Sequence, residues 1–265
     1  MMKTKQILSL GALFCVILTN SCSLNHPIGY RTTTPQITQF SERNEFNATS
    51  QVGLNHMEVQ VGYAPIKHMG IMANAYLGSD FRTSEIGVGG NYTIKKFNFE
   101  LYGLKGSSIL DQYKTRELEP INYYAKKRIE VFNMSHEYYT KSLQLNTTFM
   151  EEFYSFSCAF KYTFAKYAEL NYSYLNADVK YNQELIVFDD NSYSSTADRQ
   201  FYALSFQATV GARKFRVFAQ YTINRMVGEQ FINPLTPPYY KRDLASLGLM
   251  LKLGKPKKKI TPNNI

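Results

Sequence analysis

The chain has no tryptophan, only three cysteines and only four histidines among its 265 residues. Cys15, Cys22 and Cys158 stand far apart. No CxxC or Cys/His spacing exists, which excludes a zinc-ribbon-type centre and a disulfide framework. Long apolar runs are scarce as well. The one at Ile7–Leu18 is shorter than the roughly 20 residues a spanning helix needs. The 15 glycines and 9 prolines are spread along the chain, which excludes a collagenous or low-complexity protein. What is abundant is Tyr, with 21, and Phe, with 18, an enrichment that suits β-strands and interfacial belts. The formal net charge is +9.

The N-terminus reads as a processing segment. Lys3 and Lys5 make a basic region, Ile7–Leu18 an apolar one, and Thr19-Asn20-Ser21-Cys22 a small polar cleavage region. An apolar region that runs straight into a cysteine resembles a bacterial lipoprotein signal with its lipobox, although Thr19 stands where that family usually has Leu. The resemblance implies removal of residues 1–21 and lipidation of Cys22. Residues 22–43, rich in Thr, Pro and Asn and without periodicity, read as a flexible tether. Residues 44–254 hold the folded domain, and 255–265 form a basic tail with Lys255 and Lys257–Lys259.

The folded part alternates with a period of two. In Glu151–Tyr167, one set is Tyr154, Phe156, Cys158, Phe160, Tyr162 and Phe164; the other is Ser155, Ser157, Ala159, Lys161 and Thr163. The same reading places strands at Glu45–Gln51, His56–Ala64, Met69–Leu77, Glu85–Ile94, Phe97–Leu104, Glu169–Leu175, Val179–Phe188, Phe201–Val210, Phe215–Ile223 and Leu244–Leu253, with at least one more inside Tyr123–Phe149. Lys105–Ile121, Asp189–Asp198 and Val227–Lys241 read as loops. The fold class expected is all-β: a closed antiparallel up-and-down barrel of about 10–12 strands, with short turns on one rim and longer loops on the other.

Two arguments put the apolar face outside. A soluble barrel's exterior is dense in Lys and Glu. Here the second face is Gly, Ser, Asn, Thr and Gln with isolated charges such as Glu85, Glu100, Lys161, Glu169 and Arg216. A barrel of this size with an apolar interior would also leave a void. Tyr154, Phe156, Phe160, Tyr162 and Phe164 are therefore the candidate lipid-facing residues, with Ser155, Ser157 and Thr163 lining a hydrated lumen.

The run Glu45–Leu77, with Tyr63-Ala64-Pro65 and then Lys67-His68-Met69-Gly70, resembles the opening of a group of lipobox-bearing outer-membrane-type β-barrel lipoproteins of the Bacteroidota. The resemblance implies a lipid-anchored envelope protein in the bacterial outer membrane and carries no activity. Ser23-Leu24-Asn25 lacks the acidic pair of a surface-export signal, which tilts the anchor to the periplasmic leaflet.

For chemistry the sequence offers little. His56 and Glu58, two apart on a polar face, read as lumen-lining residues in preference to a general base and its orienter. Ser135-His136-Glu137 alternates between faces and does not converge by itself. Gly87-Val88-Gly89-Gly90 lies within a strand and reads as close packing in the wall. No cofactor, metal or nucleic acid is expected. The leading function is a structural or transport-associated envelope barrel without catalysis. Its partners are membrane lipid, through Cys22 and the exterior, and an envelope protein. The alternatives are a lipid-anchored, lipocalin-like barrel for an apolar ligand and a barrel lipid hydrolase.

Overall fold

The computed structural model describes Tyr30 and residues 33–53, 56–78, 81–121, 125–195, 198–212, 214–227 and 243–254. The signal region, Cys22, the basic tail, the side chain of His56 and most of the expected 227–241 loop lie outside the described residues.

Eleven strands follow in chain order: β1 (Glu45–Gly53), β2 (His56–Ala64), β3 (Met69–Gly78), β4 (Phe81–Ile94), β5 (Phe97–Leu118), β6 (Ala125–Met150), β7 (Tyr154–Lys180), β8 (Leu185–Ser195), β9 (Asp198–Gly211), β10 (Phe215–Met226) and β11 (Asp243–Leu253). Neighbours pair antiparallel around the wall, and β1 closes on β11, Phe46 opposite Leu253. β8 and β9 both pair with β7, β8 along Leu170–Val179 and β9 along Tyr154–Lys166. They share one position, so the barrel is closed with ten strands. Closure removes the free edges of the barrel wall; above the rim, β8 and the part of β5 beyond Leu110 are paired on one side.

Residues 65–68, 95–96 and 151–153, and the connection that Phe215 N–H closes on Ala212 O, make short turns on one rim, where β1 begins and β11 ends. At the other rim β5, β6, β7 and β8 run well beyond their neighbours. Four expectations are corrected here. Lys105–Ile121 is not a loop: β5 continues to Leu118, paired with β6 throughout. Glu151–Tyr167 and Glu169–Leu175 are one strand, β7. Asp189–Asp198 is mostly strand β8, and the expected strand Val179–Phe188 is broken by a turn that Lys180 N–H closes on Glu184 O at 2.8 Å. Above the rim both faces of these strands meet polar surroundings, so the alternation that marks a half-buried strand is lost.

Interior and exterior follow the alternation. On β7, Ser155, Ser157, Ala159, Lys161 and Thr163 are buried inside, while Tyr154, Phe156, Phe160 and Phe164 are exposed on the outer wall. Gly89 on β4 faces inward where a Cβ would lie 2.0 Å from Leu101 O, so the glycine cluster does allow close packing within the wall.

Candidate functional site

Residues 33–40 are all buried, a result at odds with a flexible tether. They thread the lumen from one mouth to the other. Tyr30 lies at the long-strand mouth, stacked on Phe201 with ring centroids 3.5 Å apart and 5.4 Å from Tyr138. Tyr76, Phe81, Leu110, Met134, Ala165 and Tyr167 complete this aromatic cap. Ser41 lies at the opposite mouth, its N–H donating to Glu45 at 2.7 Å as the chain bends into β1. The lumen is therefore plugged by the chain's own N-terminal segment.

An extended peptide leaves its backbone groups unpaired, and burial makes each of them costly. The lumen answers with side chains from around the wall. Thr34 N–H donates to Glu58 at 3.1 Å, and Gln60 donates to Thr34 O at 3.1 Å. Gln220 reaches Pro35 O at 3.1 Å. Gln144 and Asn146 both donate to Gln36 O, at 2.6 and 2.8 Å. Thr38 N–H and Phe40 N–H donate to Glu100, and Asn47 donates to Thr38 O at 2.7 Å. Lys252 donates to Gln39 O and Asn98 to Phe40 O, both at 2.5 Å. Phe40 itself fills a cradle left by two glycines: a Cβ on Gly62 would meet its ring at 2.9 Å, and one on Gly70 at 3.0 Å.

The buried charges serve the same segment. Lys161, fully buried, pairs with Glu85 at 2.5 Å and donates to the Thr33 hydroxyl at 2.7 Å. Thr33 also bonds to Glu85. Lys252 lies 3.5 Å from Glu45. The sequence reading took Glu85, Glu100 and Lys161 for isolated charges in water; instead they hold the plug. Nothing in the sequence paired them with residues 33–41, because partners 52 to 128 positions apart leave no local pattern.

Glu58, named beside His56, is one of these plug ligands; its carboxylate accepts from Thr34, Gln51 and Gln60. Ser135-His136-Glu137 does not converge. His136 points into the aromatic cap, its ring 5.3 Å from Tyr138 and 5.5 Å from Tyr167, while Glu137 is exposed on the outer wall. Among the described residues no group of His, Cys, Asp and Glu is arranged to hold a metal ion.

The outer wall is apolar. Phe156 is 56% and Phe160 42% exposed, and Val61, Ile71, Val88, Leu101, Leu145, Phe206, Val217 and Leu249 are exposed around the same circumference. Tyr162 also faces outward, half-buried beneath its hydrogen bond to Gln200 at 2.6 Å. On β7 the apolar series runs from Tyr154 to Phe164, which at ~3.3 Å per residue and ~40° tilt spans about 25 Å of height. Tyr63, Tyr92, Phe97, Phe149, Tyr154 and Phe215 gather near the short-turn rim.

The protein is a plugged ten-strand barrel with an apolar belt. No family model and no curated protein matches the chain. Among solved structures it is similar to the KdgM porin at 6% identity, over 78% of this chain and 98% of that one, with a TM-score of 0.34. The CymD monoaromatic hydrocarbon channel follows at 8%, 81% and 88%, with 0.31. The TodX monoaromatic hydrocarbon channel deltaS2 mutant gives 7%, 78% and 87%, with 0.26.

Proposed function

We propose that this protein is an outer-membrane-type barrel, set in lipid through its outer wall and closed by its own N-terminal segment, with a structural or transport-associated role in the cell envelope. The carrying observation is the inverted polarity: aromatic and aliphatic side chains outside, hydrogen-bonded polar and charged ones inside. In water each large exposed side chain forgoes about 1.5–3 kcal/mol that burial in an apolar medium supplies. A belt of about 25 Å matches the hydrocarbon height of such barrels. A lipocalin-like barrel needs the reverse, an apolar empty interior, and is overturned by the polar, filled lumen.

The course of the plug bears on the anchor. Both ends of the barrel wall fall on the short-turn rim, and Ser23-Leu24-Asn25 pointed to the periplasmic leaflet for Cys22. Tyr30, however, emerges at the opposite mouth. Eight residue steps join it to Cys22, a reach of at most ~29 Å. Long extensions mark the outward-facing rim of outer-membrane barrels. A lipid on Cys22 then belongs to the outer leaflet.

Thiol labelling tests the membrane reading. Phe160→Cys and Ser157→Cys are each made in a Cys158→Ala chain without other free thiols and reconstituted into liposomes. A lipid-phase reagent is expected to modify position 160 and a water-soluble one to spare it, while position 157 resists both. Ready modification of position 160 by the water-soluble reagent in liposomes would overturn the proposal.

A further inference from the structure

A groove of about 740 Å³ crosses the outer wall over β4, β5, β6 and β7. Its position follows from the residues that line it. The lower row is Ile86, Lys105, Lys141 and Phe164, in register across the four strands. The upper row is Ser84, Ser107, Tyr139 and Lys166, continued on β9 by Asp198. The backbone between the rows forms the floor. Glu85, which also borders the groove, is committed to Lys161 on the lumen side.

Three lysines in this groove are unexpected on an apolar wall. Lys105 stands directly opposite Lys141, a juxtaposition of like charges that destabilises a sheet. Lys166 lies diagonally above Lys141, beyond Phe164. The acids beside the groove are Asp198, at the far end and opposite Lys166, and Glu137, which accepts from the Tyr139 hydroxyl at 2.7 Å. All three lysines are exposed. Below them the outward residues are Phe99, Leu101, Leu143, Leu145 and Phe160, with Phe164 level with Lys141; above them come Ile109, Glu137 and Asp111. The lysines therefore stand where the belt ends, at the height of a lipid headgroup.

We infer that this groove binds an anionic phospholipid, one whose phosphate-bearing headgroup keeps a net negative charge, in the leaflet at the long-strand rim. Lys105 and Lys141 would share the phosphate from both sides, an anion being what reconciles two facing ammonium groups. Lys166 would bond to it from above, its stem lying along apolar wall while the head group reaches the interface. Ile86 and Phe164 border the groove on the belt side, where the first methylenes of an acyl chain would run. The chemistry selects a phosphorylated lipid over free phosphate because the cations sit at the head of an apolar surface, not in a closed polar pocket.

The inference rests on the membrane reading above, and the test separates the two. The full chain is reconstituted in nanodiscs of phosphatidylcholine with or without a tenth of phosphatidylglycerol or cardiolipin. The lipids retained on extraction into detergent are then weighed by native mass spectrometry. The natural chain is expected to retain the anionic lipid at least tenfold above its share, and Lys105→Gln/Lys141→Gln/Lys166→Gln to retain it at its share. Inorganic phosphate at millimolar concentration is expected not to compete. Equal retention by the triple variant, no enrichment by the natural chain, or full competition by inorganic phosphate each overturns the site. A barrel that inserts but shows no enrichment refutes this site alone, whereas a barrel that fails to enter nanodiscs refutes the membrane reading. Lys105→Gln singly, with folding verified by heat-modifiable migration, is expected to give an intermediate loss; retention equal to the natural chain's would exclude the Lys105–Lys141 pair as the phosphate seat.

Discussion

Replacing Glu100 with glutamine tests how the lumen holds its plug. One carboxylate oxygen accepts the Thr38 hydroxyl at 2.6 Å and the Phe40 N–H at 3.1 Å; the other accepts the Thr38 N–H at 3.3 Å and the Asn146 amide at 2.8 Å. All four groups donate. Glutamine offers one oxygen and one NH2 group. In its better orientation the oxygen keeps Thr38 Oγ1 and Phe40 N, and the NH2 group faces the Thr38 N–H, a backbone donor that cannot reverse. Leaving that donor unpaired costs about 1–3 kcal/mol, and the remaining bonds lose the extra ~1 kcal/mol that charge provides. A neutral side chain is less costly to bury, which offsets part of this. The net is about 2–4 kcal/mol, or a roughly 30- to 700-fold shift toward a loosened plug. Single-channel recording in planar bilayers reads that shift. Deleting residues 30–41 sets the conductance of the unplugged barrel, and Glu100→Gln is expected to flicker to levels below it, the segment loosening without leaving the lumen, while the natural chain stays quiet. A quiet Glu100→Gln beside a conducting deletion refutes the role of Glu100. A quiet deletion refutes the plug as the closure.

Three further outcomes are expected. Lys161→Met leaves Glu85 buried beside Thr33 without its counter-charge and should destabilise the fold by about 3–5 kcal/mol, read from the denaturant midpoint in detergent. Gly62→Ala should cost about 1–3 kcal/mol, because the new methyl meets Phe40, Thr38 and Gln36 of the plug; the cost should fall in a chain lacking residues 30–41, since the three nearest atoms all belong to the plug. Phe160→Arg should lower stability in a bilayer by roughly 2–4 kcal/mol, depending on depth, with a smaller loss in detergent, measured by reversible unfolding in both.

What could be read from the sequence was the part of the wall that passes through the belt. Between Tyr154 and Phe164 the two faces meet different media, so alternation survives and the outward set was legible residue by residue. Above the belt, Lys105, Asp111 and Glu117 face water, and the pattern that would reveal β5 dissolves. The same loss hid β8. Residues 33–40 escaped for the opposite cause: they are buried on every side, yet by polar neighbours. They therefore look like the Thr- and Pro-rich linker that their composition suggests. A small residue such as Ser157 was taken to border water. It is buried, and accepts a bond from Thr148 at 2.9 Å, because the lumen is full.

The path of residues 30–41 also imposes an order of assembly. The plug runs directly into β1, and β1 forms the seam with β11, the last strand to be synthesised. A finished cylinder packed in this way leaves little room for a peptide to be drawn through it end-on. The segment therefore lies in place before Phe46 meets Leu253, and the wall is wound about it as about a mandrel. The chain delivers its core first and its latch last, so a truncation within β11 would leave the plug made but nothing to hold it in.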